Sequence, residues 1–220
     1  MEMANAAAGR GGHAALIRVV TTRADIPRVG EGIAFVHGEL EPKISTMDGN
    51  KGFAMALDRS SRRYVGITAW SASPALEAGA RDASGLIADL AGRLHGSTPS
   101  VEVFDLVLAH VLKPVRVEYW GRLTRLEVPV QHLSRAVRRL QETVLAVFEH
   151  CDGLAGILLF VDADSGVIES IDWFDRLHAL RASAARAREL HELLVADVPE
   201  VGDVELSELQ VVIAETRGLF

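Results

Sequence analysis

Met47-Asp48-Gly49-Asn50-Lys51-Gly52-Phe53-Ala54-Met55-Ala56-Leu57-Asp58 and Cys151-Asp152-Gly153-Leu154-Ala155-Gly156-Ile157-Leu158-Leu159-Phe160-Val161-Asp162 are two passages of one chain that share a frame. Asp48, Gly49, Gly52 and Asp58 each meet the same residue type 104 positions later. Trp70 meets Trp173 at a spacing of 103, which reads as the same frame with one residue trimmed from a turn. A period of this length is too long for a solenoid repeat and suits a duplicated small domain.

The flanking sequence carries the same order of signals twice. In the first copy, Ala15–Thr22 is β-rich, and a helix follows with Asp25 as N-cap and Pro27 in its first turn. Its apolar stripe is Val29, Ile33, Val36, Leu40 and Ile44. The Asp-Gly turn leads to a strand at Phe53–Asp58, a hairpin turn at residues 59–62 and a returning strand at Arg63–Trp70. Ser73-Pro74 opens a second helix to about Leu94, and Val101–Val111 is a fourth strand. The second copy repeats this plan. Val115–Leu123 is a strand, Pro129–His150 a helix, Ile157–Val161 and Val167–Trp173 a hairpin, Leu177–Val195 a helix and Val204–Glu215 the last strand. Each copy is therefore a β-α-β-β-α-β ferredoxin-like unit, an α+β fold whose sheet carries helices on one face. The expected organisation is a disordered tail over residues 1–13, a first unit over 14–112 and a second over 113–220, with Lys113-Pro114 at the junction. The bare face of each sheet needs a cover, and the second copy supplies it.

Composition narrows the function. A net charge of −7 argues against a sequence-independent grip on nucleic acid, which needs a basic surface. One cysteine, Cys151, cannot form an intrachain disulfide and fits a reducing cytoplasm. No apolar run approaches the roughly 20 residues that span a bilayer as a helix. A soluble cytoplasmic protein is expected. Metal-ligand spacings such as His-x-x-x-His and Cys-x-x-Cys are absent, as is a nucleophile elbow.

The motifs Asp48-Gly49-x-x-Gly52 with Trp70, and Asp152-Gly153-x-x-Gly156 with Trp173, resemble the antibiotic biosynthesis monooxygenase-like group of the dimeric α/β barrel superfamily. The resemblance runs over nearly the whole chain, in two passes. It implies that the tandem units form an intramolecular version of a barrel that relatives build from two chains. It also implies one of several functions: cofactor-free oxygenation of aromatic polyketides, haem degradation, or quinol handling. Haem-degrading relatives use an Asn on the first strand, and neither first strand here contains one, so haem binding is the weaker alternative.

Alternation along the strands nominates candidate residues. Tyr64, Thr68 and Trp70 share one face of the third strand, with Glu169, Ile171 and Trp173 as the matching set in the second copy. If that face looks into the space between the sheets, Trp70 and Trp173 either wall a flat apolar ligand or form inter-sheet core. Arg116, Glu118, Trp120 and Arg122 share a face of the second copy's first strand, where copy one offers only Arg18. These charges either orient a ligand or satisfy one another. Glu118 and His178 are the candidate bases, with Trp120, Arg122, Trp173, Trp70 and Tyr64 as candidate substrate contacts. His37, His95, His132, His150 and His191 read as helix-surface histidines. The leading expectation is a cofactor-independent monooxygenase acting on a small aromatic or quinol, with no cofactor and no metal. The alternative is a non-catalytic binding or assembly protein, in which helix residues 182–188 would offer a face for self-association of whole chains.

Overall fold

The computed structural model describes residues 15–23, 25–148, 150–198 and 200–215. The tail expected over residues 1–13 lies outside them. The first half runs β1 (Leu16–Arg23), a 3-10 turn (Ile26–Arg28), α1 (Val29–Phe35), a π-helical turn (Val36–Leu40), α2 (Glu41–Ser45), β2 (Asn50–Asp58), β3 (Arg63–Trp70), α3 (Ser73–Arg93) and β4 (Ser100–Val111). The second half runs β5 (Trp120–Glu127), α4 (Val130–Phe148), β6 (Leu154–Asp162), β7 (Val167–Phe174), α5 (Leu177–Ala182), α6 (Ala184–Asp197) and β8 (Glu205–Glu215). Each half is a βαββαβ unit, with strands in the order 4-1-3-2 and 8-5-7-6.

The two sheets do not lie face to face as separate layers. Ladder β2–β8 joins one pair of edges and β4–β6 the other, so all eight strands close into one antiparallel barrel. The 104-residue frame persists at atomic detail. Gly49 and Gly153 both adopt positive φ, 76° and 75°, and each carbonyl accepts a 2.8 Å bond from the backbone N–H just after the hairpin, that of Ser71 or Asp175. Only glycine takes that conformation without strain. Asp58 and Asp162 each close their hairpin by accepting backbone and hydroxyl hydrogen bonds from the turn.

Side-chain alternation divides the core into an interior and two helix-covered outer layers. Ile17, Val19, Val65, Ile67, Ala69, Phe104, Phe160, Ile171 and Trp173 fill the barrel. Phe104 and Phe160 meet edge to face at 5.1 Å. Val36, Leu40, Ile44, Met55, Tyr64 and Leu90 pack under the helices of the first half. Leu133, Leu140, Val144, Phe148, Leu159, Ile168 and Leu194 do so in the second.

This division corrects the expected pairing of the tryptophans. The registers Leu16↔Trp70 and Trp120↔Phe174 show that the hairpin keeps a spacing of 104 throughout, with no residue trimmed from its turn. Phe174 is thus the counterpart of Trp70, and Ala69 that of Trp173. A one-residue slip exchanges the faces of a strand. Trp173 accordingly lies inside the barrel, whereas Trp70 and Tyr64 lie under helices, with Trp70 against Gly79 of α3.

Three further expectations change. β5 begins at Trp120, not at Val115, because residues 115–119 form a turn in which Val115 and Tyr119 plug the end of the barrel. The helix expected over Leu177–Val195 breaks at Ser183. Asp25 is not an N-cap: the 3-10 turn intervenes, and the N-cap of α1 is Arg28.

Candidate functional site

Between the outer face of the second half's sheet and helices α4 and α6 lies a cavity of about 230 Å³. Its walls are Leu140, Val144 and Phe148 of α4, Leu190 and Leu194 of α6, and Leu126, Leu159 and Ile168 of the sheet. These residues are apolar because each occupies the inward stripe of its helix or the covered face of its strand. Thr124, Ser170, Asp172, Arg122, Arg188 and His191 bring polar groups into the same space.

Arg122 and Asp172 are cross-strand neighbours on β5 and β7, and both are nearly fully buried. The guanidinium lies 3.7 Å from the Asp172 carboxylate and donates to the Ser183 hydroxyl at 3.0 Å and the Leu180 carbonyl at 2.6 Å. Leu180 sits near the C-terminus of α5, whose last carbonyls lack helical partners. A cation there also meets the negative end of the helix dipole. Arg122 therefore caps α5, which accounts for the break at Ser183. Burial pushes the Asp172 carboxyl up to about 7, although the Arg122 charge opposes the shift. The Nε2 atom of His191 is buried and has no hydrogen-bond partner among the described residues.

The equivalent space in the first half is much smaller, about 40 Å³, and is lined by Arg18, Tyr64, Gly66, Thr68 and Ile87 among others. Arg18, Thr68, Gly79 and Ile87 stand 104 positions before Arg122, Asp172, Ser183 and His191. Tyr64 fills the place of Ile168 and donates to the Val29 carbonyl at 3.0 Å. Burial raises its hydroxyl to about 12. Trp70 donates its indole N–H to Thr68 at 2.8 Å.

The expected site residues are not gathered in one place. Arg122 lines the larger cavity, and Tyr64 lines the smaller one. Trp173 is barrel core, and its ring leaves no room for a side chain at Gly121. Trp120 packs beside Phe174 in the outer layer, and Trp70 is closed in against α3. Glu118 is exposed in the turn before β5, with φ of 72°, and His178 is exposed on α5. Neither borders the cavity. Sequence reasoning passed over Asp172, Ser170, Thr124 and Arg188, and it placed His191 on the surface.

The chain is 30% identical to the uncharacterized protein Rv2558 of Mycobacterium tuberculosis over 196 residues, which cover 86% of this chain and 82% of that protein. A second uncharacterized protein of the same organism, Rv2557, is 28% identical over 193 residues, covering 88% and 84%. The chain belongs to the family of these mycobacterial proteins. No family model matches it. Among solved structures it is similar to a candidate monooxygenase from Fusobacterium nucleatum, with a TM-score of 0.76, 11% identity and coverage of 94% and 96%. A candidate monooxygenase from Lactobacillus acidophilus superposes with a TM-score of 0.70 at 13% identity over 94% and 98% of the two chains. An anthrone oxidase-like protein does so with 0.65 at 13% identity over 93% and 94%. The fold is thus a dimeric α/β barrel like that of these solved structures, with both ferredoxin-like units in one chain. Among the described residues no helix is long and apolar enough to cross a membrane, and no group of His, Cys, Asp and Glu is placed to hold a metal ion.

Proposed function

We propose that the second-half cavity binds a flat, hydroxyl-bearing aromatic molecule and that Asp172 accepts its proton in a cofactor-independent oxidation. The observation that carries this reading is a carboxyl at about 7, buried beside Arg122 in the wall of an apolar cavity. A general base works best when its pKa lies near the operating pH. Once the carboxylate has taken the hydroxyl proton, Arg122 keeps its charge and faces the new phenolate, whose electron density is raised for reaction with dioxygen. In a monooxygenation of this type one oxygen atom enters the substrate and the other leaves as water. The substrate supplies two electrons to the inserted oxygen and two more, with two hydrogens, to the water, and leaves as a quinone, so no separate reductant is required. The likeness to proteins named as monooxygenases and as anthrone oxidase-like supports this class of substrate.

Oxygen uptake with anthrones, dihydroxynaphthalenes and quinols tests the reading. Turnover of at least one compound is expected, and Asp172→Asn should lower it by about 100-fold or more. Turnover unchanged in Asp172→Asn would overturn the assignment. The bond network of Arg122 to α5 favours a second reading, in which the pair holds the wall of a non-catalytic binding pocket. Saturable binding with no oxygen uptake from any compound would select that reading.

A further inference from the structure

The barrel has a second polar space on the other face of the same strands. One end of the barrel is plugged by Val115 and Tyr119. At the opposite end, where both hairpins turn, a cavity of about 210 Å³ opens between β1, β3, β4, β5, β7 and β8. It is smaller than the roughly 300 Å³ at which drug-sized pockets begin, so it suits a small ligand. Val19, Val65 and Leu123 give it apolar wall.

Its charges do not balance. The Nη1 atom of Arg125 is shared between Glu169 at 2.7 Å and Glu102 at 2.9 Å. Arg63 donates to Ser207 at 2.6 Å and lies 3.6 Å from Asp58. Glu205 faces Arg125 across the β5–β8 ladder, yet no ion pair reaches its carboxylate among the described residues. Most telling is Glu169: the residue is 3% exposed and lines the cavity, and its Oε2 atom has no hydrogen-bond partner among the described residues. A buried carboxylate oxygen left without a donor is costly, so an occupant that donates is strongly favoured there. Both guanidinium groups are already matched, and the surplus is negative. A compact group with several N–H donors and a positive charge answers both deficits. Both halves line this one mouth, but unequally: the first contributes Val65 and Thr21 where the second contributes Glu169 and Arg125.

We propose that this mouth is a binding site, separate from the helix-side cavity, for a small molecule that presents a primary ammonium group. The separation follows from alternation: Glu169 points into the barrel, whereas Ser170 and Asp172 line the space under the helices. The test is a titration of the full chain with n-propylammonium chloride, followed by backbone amide NMR, with sodium chloride and tetramethylammonium chloride at matched ionic strength. Saturable shifts should cluster at residues 63–65, 100–102, 123–125, 169 and 205–207. Affinity should fall about tenfold in Glu169→Gln and about threefold in Glu205→Gln. Glu205 is exposed, so the second variant keeps the test decisive if the first does not fold. Equal shifts with tetramethylammonium, which has no N–H donor, would overturn the proposal. So would shifts elsewhere in the chain, or an affinity unchanged in both variants.

Discussion

The two helix-side cavities are the same place built twice, and they have diverged in opposite directions. At the positions of Arg18, Thr68, Gly79 and Ile87 the first half places a lone arginine, a hydroxyl, no side chain and an apolar one. It fills the place of Ile168 with Tyr64. The second half places Arg122, Asp172, Ser183 and His191 there, breaks the covering helix at Ser183, and leaves about 230 Å³ open where the first leaves about 40 Å³. The contrast teaches that the barrel itself does not need a pocket. Among the described residues, only the half with the larger pocket carries a buried carboxylate beneath its helices.

The arginines offer the strongest way to break the comparison. Arg122→Met would strand the Asp172 charge in the core and should cost about 3–5 kcal/mol at pH 8, where the carboxyl is ionised. Arg18→Met removes a cation that has no ion pair among the described residues and whose charge is already disfavoured by burial. It should change stability by less than about 1 kcal/mol. Urea denaturation of both variants reads the difference, and equal losses would mean that the two halves are energetically alike.

An effect of the same order comes from pH. The folded value of Asp172, about 7, lies above its unfolded value, so the folded state holds the extra proton between them. The stability that this proton confers is fully present below about pH 4 and is lost as pH rises to about 7, with a slope of up to about 1.4 kcal/mol per pH unit. Burial raises Glu169 in the same direction, whereas carboxyls held down by hydrogen bonds act oppositely. At Asp58 the upward push of burial is outweighed by hydrogen bonds from Ser60 and Ser61, which hold it down at about 2, so its contribution is lost only in strong acid. The difference between the wild type and Asp172→Asn across pH 4–7 therefore isolates this one group. A flat difference would show that Asp172 is ionised throughout.

The mildest test exchanges the residues that fill or open the two spaces. Ile168→Tyr should close the second cavity and weaken binding of 1-naphthol about tenfold. Tyr64→Ile should cost about 1–2 kcal/mol, through the lost bond to Val29 and the void left behind. Calorimetry and thermal melts check the pair. Unaltered naphthol affinity in Ile168→Tyr would move the binding site elsewhere.

Much of the architecture is legible in the sequence. The Asp-Gly turns expose the duplication because positive φ and a closed hairpin demand those residue types locally. β3 reads at its true bounds, Arg63–Trp70, and the stripe Val29, Ile33, Val36, Leu40 and Ile44 is the face that packs. The site is less legible, for two reasons. Matching Trp70 with Trp173 slips the frame by one, and in a strand one residue decides between barrel interior and helix side. Asp172 then reads as an ordinary partner-strand acid, since its weight comes from burial and from Arg122, which is distant in sequence. The strict 104 spacing, carried through Thr68 to Asp172 and Ile87 to His191, holds the signal that finds both.

The ring of strands has a consequence for how the protein behaves on dilution. A barrel assembled from two chains comes apart when its concentration falls below the dissociation constant, and its stability is inseparable from protomer concentration. Here the ladders β2–β8 and β4–β6 are closed by a short covalent connection, residues 112–119, which holds each sheet edge at a fixed high local concentration of its mate. Closure is a first-order event, indifferent to how much protein is present, and no strand edge of the barrel is left to template the pairing of a stranger.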